Sequence, residues 1–210
     1  MRCPADPAVY LASTSPRRRE LLRRLGIPFR QVTPAASETP ESVGHRAGSH
    51  PARYAVACAR AKALSVARML LRRSPLVPRP SLIIGVDTVV VCGRQILGKP
   101  RSRAEARRML TLLSGRTHRV ISGVAVVTIP ERLILTASEE TKVSFRKLST
   151  DEIGRYIAGP EPYDKAGAYG IQEKAGIFVS RVSGCLLNVV GLPVPLLLEL
   201  LKRAGWRAAS

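Results

Sequence analysis

The sequence contains few aromatic residues and few acidic ones, and each shortage restricts what the protein can do. Aromatic side chains make up 4% of the 210 residues, so small and β-branched aliphatic residues must fill the core. The chain has 15 acidic residues against 34 lysines and arginines, a formal net charge of +19. This charge favours anionic partners such as nucleotides or nucleic acids. The arginines fall in short runs along predicted helices, however, without aromatic residues between them, which argues against a single-strand nucleic-acid binder.

Other sequence features typical of disulfide-rich, zinc-binding or membrane proteins are also missing. The four cysteines are far apart, and the three histidines do not complete a zinc-binding pattern. The most apolar late stretch, residues 186–201, is interrupted by Asn188, two prolines and Glu199, so no membrane span is expected. The N-terminus lacks the apolar stretch of a signal peptide. We therefore expect a reduced, cytoplasmic protein.

The length of 210 residues suits one α/β domain over residues 1–210, with two lobes around a cleft. The expected architecture is a mixed central sheet with flanking helices. Capping boxes are predicted where Ser102 precedes Glu105 and where Ser149 precedes Glu152. Strands are predicted at 9–12, 29–32, 82–91, 120–129, 133–145, 177–182 and 187–190. Helices are predicted from Ser15 to Gly26, at 52–72, from Ser102 to Ser114, from Ser149 to Gly159 and at 193–203, and a glycine-rich loop at 161–176.

The first strand runs into a turn and then directly into a capped helix, the arrangement of many anion sites. Ser13 and Ser15 supply hydroxyl groups there, and Arg17 and Arg18 supply positive charge. Unpaired N–H groups at a helix start also attract phosphate. The alternative is an ordinary helix N-terminus with exposed arginines.

Asp87 is a carboxylate in the middle of an otherwise apolar strand. Burying it without compensation would cost several kcal/mol, so it needs a metal ion, a cationic partner or a cleft. In a cleft, an ionised aspartate can bind Mg²⁺ and accept a proton from water. The alternative is a strand-end aspartate that caps a turn, but the apolar strand continues beyond it to Val91.

Four further residues would have a functional role only if the protein binds a nucleotide. Lys62 and Lys99 could neutralise phosphate, although an isolated lysine usually lies on the surface. Glu38 could bind a metal ion beside Asp87. Gln172 could read a base edge, because its amide both donates and accepts hydrogen bonds. The alternative, which the spacing alone favours, is a structural turn with a polar residue.

Seven segments, in order along nearly the whole chain, together resemble the Maf family, also called septum-formation inhibitor proteins. They are LASTSPRR (11–18), AKA (61–63), GVDTVV (85–90), LGKP (97–100), LSGRTH (113–118), DKAGAYGIQ (164–172) and VVGLP (189–193). The resemblance implies a fold similar to inosine triphosphate pyrophosphatases. It also implies Mg²⁺- or Mn²⁺-dependent hydrolysis of a nucleoside triphosphate to the monophosphate and pyrophosphate, and a homodimer.

The resemblance also implies roles for individual residues. Asp87 matches the position taken as the proton acceptor, and Arg17, Thr88 and Gln172 match specificity positions. The residues expected to line the site are Arg18, Lys62, Lys99 and Glu38.

Within the family, the Asp87-Thr88 pair and the segment ending at Gln172 resemble the branch that prefers dTTP and UTP. The chain departs from the family pattern at residues 184–186, which read Gly-Cys-Leu instead of Gly-Ser-Tyr. Three alternatives stay open: a purine or modified-base triphosphate as substrate, a nucleotide sensor without turnover, and a nucleic-acid-binding regulator of cell division.

Overall fold

The computed structural model describes residues 7–35, 50–72, 80–131 and 133–207. Its core is a seven-stranded mixed sheet in the order β2-β1-β3-β5-β6-β7, with β4 paired to β3. The strands are β1 (Ala8–Ala12), β2 (Phe29–Val32), β3 (Ser81–Cys92), β4 (Gln95–Leu97), β5 (Thr117–Ile129), β6 (Ile134–Phe145) and β7 (Val179–Ser183). β1, β2 and β3 are parallel, and the remaining pairs are antiparallel. The predicted α/β class and mixed sheet are confirmed.

Six helices flank this sheet in the described part of the chain. They are α1 (Pro16–Arg24), α2 (Pro51–Arg72), α3 (Arg103–Leu113), α4 (Thr150–Tyr156), α5 (Leu186–Val190) and α6 (Val194–Arg203). Helix α2 covers one face of the sheet through Ala59, Ala63 and Val66. Leu22 of α1 and Leu197 of α6 belong to the core on the opposite face. None of the described helices is long and apolar enough to cross a membrane.

Two glycines allow α2 to lie directly on the sheet. A Cβ added to Gly85 of β3 would lie 2.1 Å from the carbonyl oxygen of Ala59, and one on Gly123 would lie 2.3 Å from the backbone of Ala55. Real Cβ atoms cannot approach that closely, so only glycine permits this spacing. The close approach brings the polar side chains of α2 within reach of β3.

The structure corrects three local predictions. Residues 187–190, predicted as a strand, lie in helix α5, because the Asn188 amide donates to Val120 O and Glu139 O and fixes a helical turn against the sheet. Tertiary contacts here override the β preference of two valines. The predicted loop 161–176 contains 3₁₀ turns, the last of which reaches Phe178, so β7 begins at Val179.

The predicted capping boxes differ in outcome. The box at Ser149 is complete, with the Glu152 side chain accepting from Ser149 N–H. At α3, Ser102 accepts from Glu105 N–H as predicted, but the Glu105 carboxylate accepts from Arg101 N–H. The reciprocal half of that box is therefore displaced by one residue.

Candidate active site

Strand β3 changes neighbours partway along its length, and a cavity opens at that point. Gly85 pairs with Ala12 at the end of β1, and pairing with β4 begins only at Val90. Residues 86–89 therefore face an opening in the described sheet on this side. The cavity there has a volume of about 450 Å³. Nine predicted site residues line it: Ser13, Ser15, Arg17, Arg18, Lys62, Asp87, Thr88, Lys99 and Gln172.

Asp87 projects from β3 toward α2, where it forms an ion pair. Lys62 Nζ donates to Asp87 Oδ1 at 2.5 Å, and both side chains are about a quarter exposed or less (26% and 20%). Among the described residues no protein group hydrogen-bonds the other oxygen, Oδ2. The apolar strand thus tolerates this carboxylate because it has a cationic partner and an opening to the cavity. One oxygen is fixed by Lys62, and no described residue occupies the other.

Thr88 projects to the opposite face of β3, because neighbouring side chains alternate along a strand. Its hydroxyl oxygen accepts from Arg18 Nη2 at 3.1 Å and lies 2.8 Å from Ser122 Oγ on β5. The carbonyl oxygen of Gly191, at 3.5 Å, is a more distant neighbour. Asp87 and Thr88 therefore reach the same cavity from opposite faces of one strand.

Arg18 is buried, and its guanidinium joins three parts of the cavity wall. It donates from Nε to Gly191 O at 2.9 Å, and from Nη1 to Val86 O at 2.9 Å and Ser13 Oγ at 3.2 Å. With the Thr88 bond, four of its five N–H donors are used within the protein. Burial lowers the pKa of Arg18 from its usual value, and the charge of Asp87 opposes that shift. At most one N–H of Arg18 remains for a phosphate, and the phosphate-binding role of Arg18 stays a prediction.

The turn before α1 offers fewer backbone donors than its sequence suggests. Pro16 at the first position has no N–H, and Ser15 Oγ accepts from Arg18 N–H at 3.5 Å. Ser13 Oγ accepts from Ser15 N–H at 3.2 Å. Positive side chains, rather than the helix start alone, must therefore supply most of the attraction for an anion at this turn.

Arg17 lies at the cavity rim and meets the segment 164–173. Its Nη1 is 3.0 Å from Asp164 Oδ2 and 3.6 Å from Glu173 Oε1. Lys165, only 7% exposed, contacts the same two carboxylates at 2.6 and 3.0 Å and donates to Glu161 O. Burial acts to raise the pKa of Asp164, but hydrogen bonds from Lys165 and Arg17 outweigh it and the pKa is lowered. This network holds both ends of the segment that carries Gln172.

His118 supports the cavity wall from behind. It is 1% exposed, and its Nε2 lies 2.8 Å from the hydroxyl of Tyr169, which lines the cavity. Burial lowers the pKa of His118 to about 4, so the ring is neutral at pH 7. The neutral ring packs edge-on against Phe145 and Tyr169.

Charge in the cavity favours a polyanion. Among the described residues that line it, five are cationic and three are acidic. Lys99 and Gln172 are exposed at the rim.

Glu38, the second predicted metal ligand, lies outside the described residues, and no group of three or more potential ligands occurs within them. Asp87 Oδ2 still fits a divalent cation, because Mg²⁺ sites commonly combine one or two carboxylates with substrate phosphates.

The sequence does not predict the roles of Asp164, Lys165 and Ser122. Asp164 and Lys165 lie in the 164–172 motif, but the contact of Asp164 with Arg17 joins positions far apart in the chain, and that of Lys165 with Glu173 depends on how the segment folds. Ser122 is a fully buried hydroxyl in an apolar strand, the same kind of signal that singled out Asp87.

The chain is similar in sequence to known proteins along nearly its whole length. A family model described as "Maf-like protein" matches residues 8–204. The chain is 48% identical over 197 residues to a dTTP/UTP pyrophosphatase from Moorella thermoacetica, covering 94% of this chain and 95% of that protein. It is 43% identical over 198 residues to one from Pelotomaculum thermopropionicum (94% and 97% covered) and 44% identical over 204 residues to one from Dechloromonas aromatica (95% and 98%). With a family match across nearly its whole length and a cavity lined by the family motifs, the chain belongs to the Maf family.

Proposed function

We propose that this chain is a nucleoside triphosphate pyrophosphatase that hydrolyses dTTP and UTP to the monophosphate and pyrophosphate. The observation that carries the proposal is Asp87, held by Lys62 at the opening in the sheet and facing a cavity with excess positive charge. The names of the relatives supply the substrate class. An isolated structural ion pair would not require the surrounding motifs to converge on one cavity.

In the proposed reaction, water attacks the α phosphorus, the bond from that phosphorus to the bridging oxygen breaks, and pyrophosphate leaves. The Asp87 carboxylate accepts the proton of the attacking water, while its contact with Lys62 holds the carboxylate in position. Lys99, Arg17 and the remaining N–H of Arg18 face the developing charge on the leaving group. Phosphoryl chemistry depends chiefly on such positioning and electrostatics.

A divalent cation, Mg²⁺ or Mn²⁺, would be held by Asp87 together with the substrate phosphates, with Glu38 a further predicted ligand. When bound, it would neutralise phosphate charge. Base selection is assigned to Thr88 and Gln172. A homodimer and a cytoplasmic location complete the proposal, and sedimentation of the purified protein tests the dimer.

The experiment that tests the function is release of pyrophosphate and of orthophosphate from UTP, dTTP, CTP, dATP and GTP, with Mg²⁺ or Mn²⁺. We expect pyrophosphate release, faster for UTP and dTTP than for the others by roughly tenfold or more, since a site built to hydrogen-bond one base edge rejects others strongly. Release of orthophosphate instead would place cleavage at the wrong bond. A purine triphosphate hydrolysed fastest would refute the substrate class.

A further inference from the structure

The hydroxyl of Ser122 lies directly behind Thr88, on the neighbouring strand. The two residues are opposite each other in the β3–β5 pairing, and their oxygens are 2.8 Å apart. Ser122 is 0% exposed, so water does not reach it. Within the described part of the chain, Thr88 Oγ1 is the hydrogen-bond partner that the structure gives to Ser122 Oγ.

The distance alone does not say which hydroxyl is the donor, but burial does. If Thr88 donated to Ser122, the hydrogen of Ser122 would be buried without an acceptor, which is unfavourable. If Ser122 donates to Thr88, this cost disappears, because Thr88 is only partly buried and opens to the cavity. Ser122 is therefore the donor.

This direction determines what Thr88 can offer to a ligand. A hydroxyl oxygen has two acceptor sites and one hydrogen. Arg18, which can only donate, fills one acceptor site of Thr88, and Ser122 fills the other. Among the described residues, the acceptor that the structure gives to the hydrogen of Thr88 is Gly191 O at 3.5 Å, a long contact beyond the usual 2.5–3.0 Å range. Thr88 therefore presents a hydrogen-bond donor to the cavity and no acceptor.

A donor-only hydroxyl distinguishes the pyrimidine bases at position 4. Thymine carries a carbonyl oxygen there, as uracil does, whereas cytosine carries an amino group that donates. Thr88 can donate to the carbonyl, but it would face the amino group donor to donor. We propose that Ser122 is a positioning residue for base selection. Together with Arg18, it fixes the Thr88 hydroxyl as a hydrogen-bond donor, which selects uracil and thymine over cytosine. The inference rests on the proposed function and on Thr88 reading the base.

The test compares kcat/KM for UTP and CTP in the full-length protein and three variants. In Ser122→Ala, one acceptor site of Thr88 is vacated, and the hydroxyl can rotate to accept from the cytosine amino group. We expect the UTP/CTP ratio to fall roughly five- to tenfold, the effect of one hydrogen bond, mainly through faster CTP hydrolysis. Ser144→Ala is the matched control, because Ser144 forms a similar 2.8 Å hydroxyl pair with Thr117 away from the cavity. Its ratio should equal that of the unaltered protein.

The third variant, Thr88→Val, separates failure of this inference from failure of the base-reading role. If the preference for UTP over CTP is lost in Thr88→Val but unchanged in Ser122→Ala, only the role of Ser122 is overturned. A ratio unchanged in Thr88→Val overturns base reading by Thr88 and the inference with it. Absence of UTP hydrolysis in the unaltered protein overturns the proposed function.

A substrate analogue gives a second test that needs no variant. The triphosphate of the 2-pyrimidinone riboside differs from CTP only in having hydrogen at position 4. If the Thr88 hydroxyl faces the cytosine amino group donor to donor in the CTP complex, this analogue is hydrolysed faster than CTP and more slowly than UTP. An analogue hydrolysed no faster than CTP would show that the amino group meets no opposing donor, and would overturn the inference.

Discussion

Replacing Arg18 by lysine tests whether this arginine is a structural cross-link. The guanidinium donates four hydrogen bonds, to Gly191 O, Val86 O, Ser13 Oγ and Thr88 Oγ1. A lysine ammonium keeps the charge but has three donors at one point, so it cannot reach acceptors spread over three parts of the wall. Losing one or two bonds from a charged donor, at about 1.5–3 kcal/mol each before relaxation, predicts that Arg18→Lys lowers the free energy of unfolding by about 2–4 kcal/mol.

The assay is urea unfolding together with a thermal melt, in which this change corresponds to a Tm lower by about 4–16 °C. Arg17→Lys is the matched control, because the neighbouring arginine forms partly exposed ion pairs worth less than about 1 kcal/mol. Equal stabilities for the two variants would refute the cross-link and leave phosphate binding as the role predicted for Arg18.

Three further predictions concern packing, pH and specificity. Gly123→Ala should lower the free energy of unfolding by about 1–3 kcal/mol through overpacking against α2. At Gly154, in helix α4, an added Cβ would have its nearest neighbouring atom at 3.7 Å, so Gly154→Ala should be neutral or stabilising. Urea unfolding measures both variants. The pKa of His118 in the folded protein, about 4, lies below its unfolded value, so protonation favours the unfolded chain. The free energy of unfolding should therefore fall by up to about 3 kcal/mol as the pH drops from 6.5 to 4. His118→Gln should flatten this slope in pH-dependent melts, and an unchanged slope would contradict the role of His118. Gln172→Ala should lower the preference for UTP over GTP in kcat/KM several-fold, whereas Lys174→Ala should not change it.

Much of the fold was predictable because its elements are locally encoded. Residues 82–91 are apolar on both faces, as a central strand must be, and the helix at Ser15 has both its cap and its proline. The prediction failed at α5, where the helical turn depends on Asn188 reaching the backbone of β5 and β6. No local pattern contains that information.

The same distinction applies to the candidate site, where residues with a local signal were predictable and contacts between distant residues were not. Asp87 was predictable, since a lone carboxylate in an apolar strand requires compensation, although the sequence did not identify Lys62 as the partner. The role of Arg18 was not predictable, because its acceptors lie up to 173 positions away in the chain. The donor direction of Ser122 depends on burial, which becomes known only once the strands are paired.

In the proposed mechanism Asp87, facing the cavity from the opening in the sheet, accepts the proton in hydrolysis of dTTP and UTP. The most direct measurement is pyrophosphate release from both nucleotides by the unaltered protein and by Asp87→Asn, with Asp151→Asn, on the surface of α4, as the control. We predict that Asp87→Asn loses on the order of 10²-fold or more in kcat while the control is unchanged. A folded Asp87→Asn protein with near-normal kcat would contradict this role of Asp87.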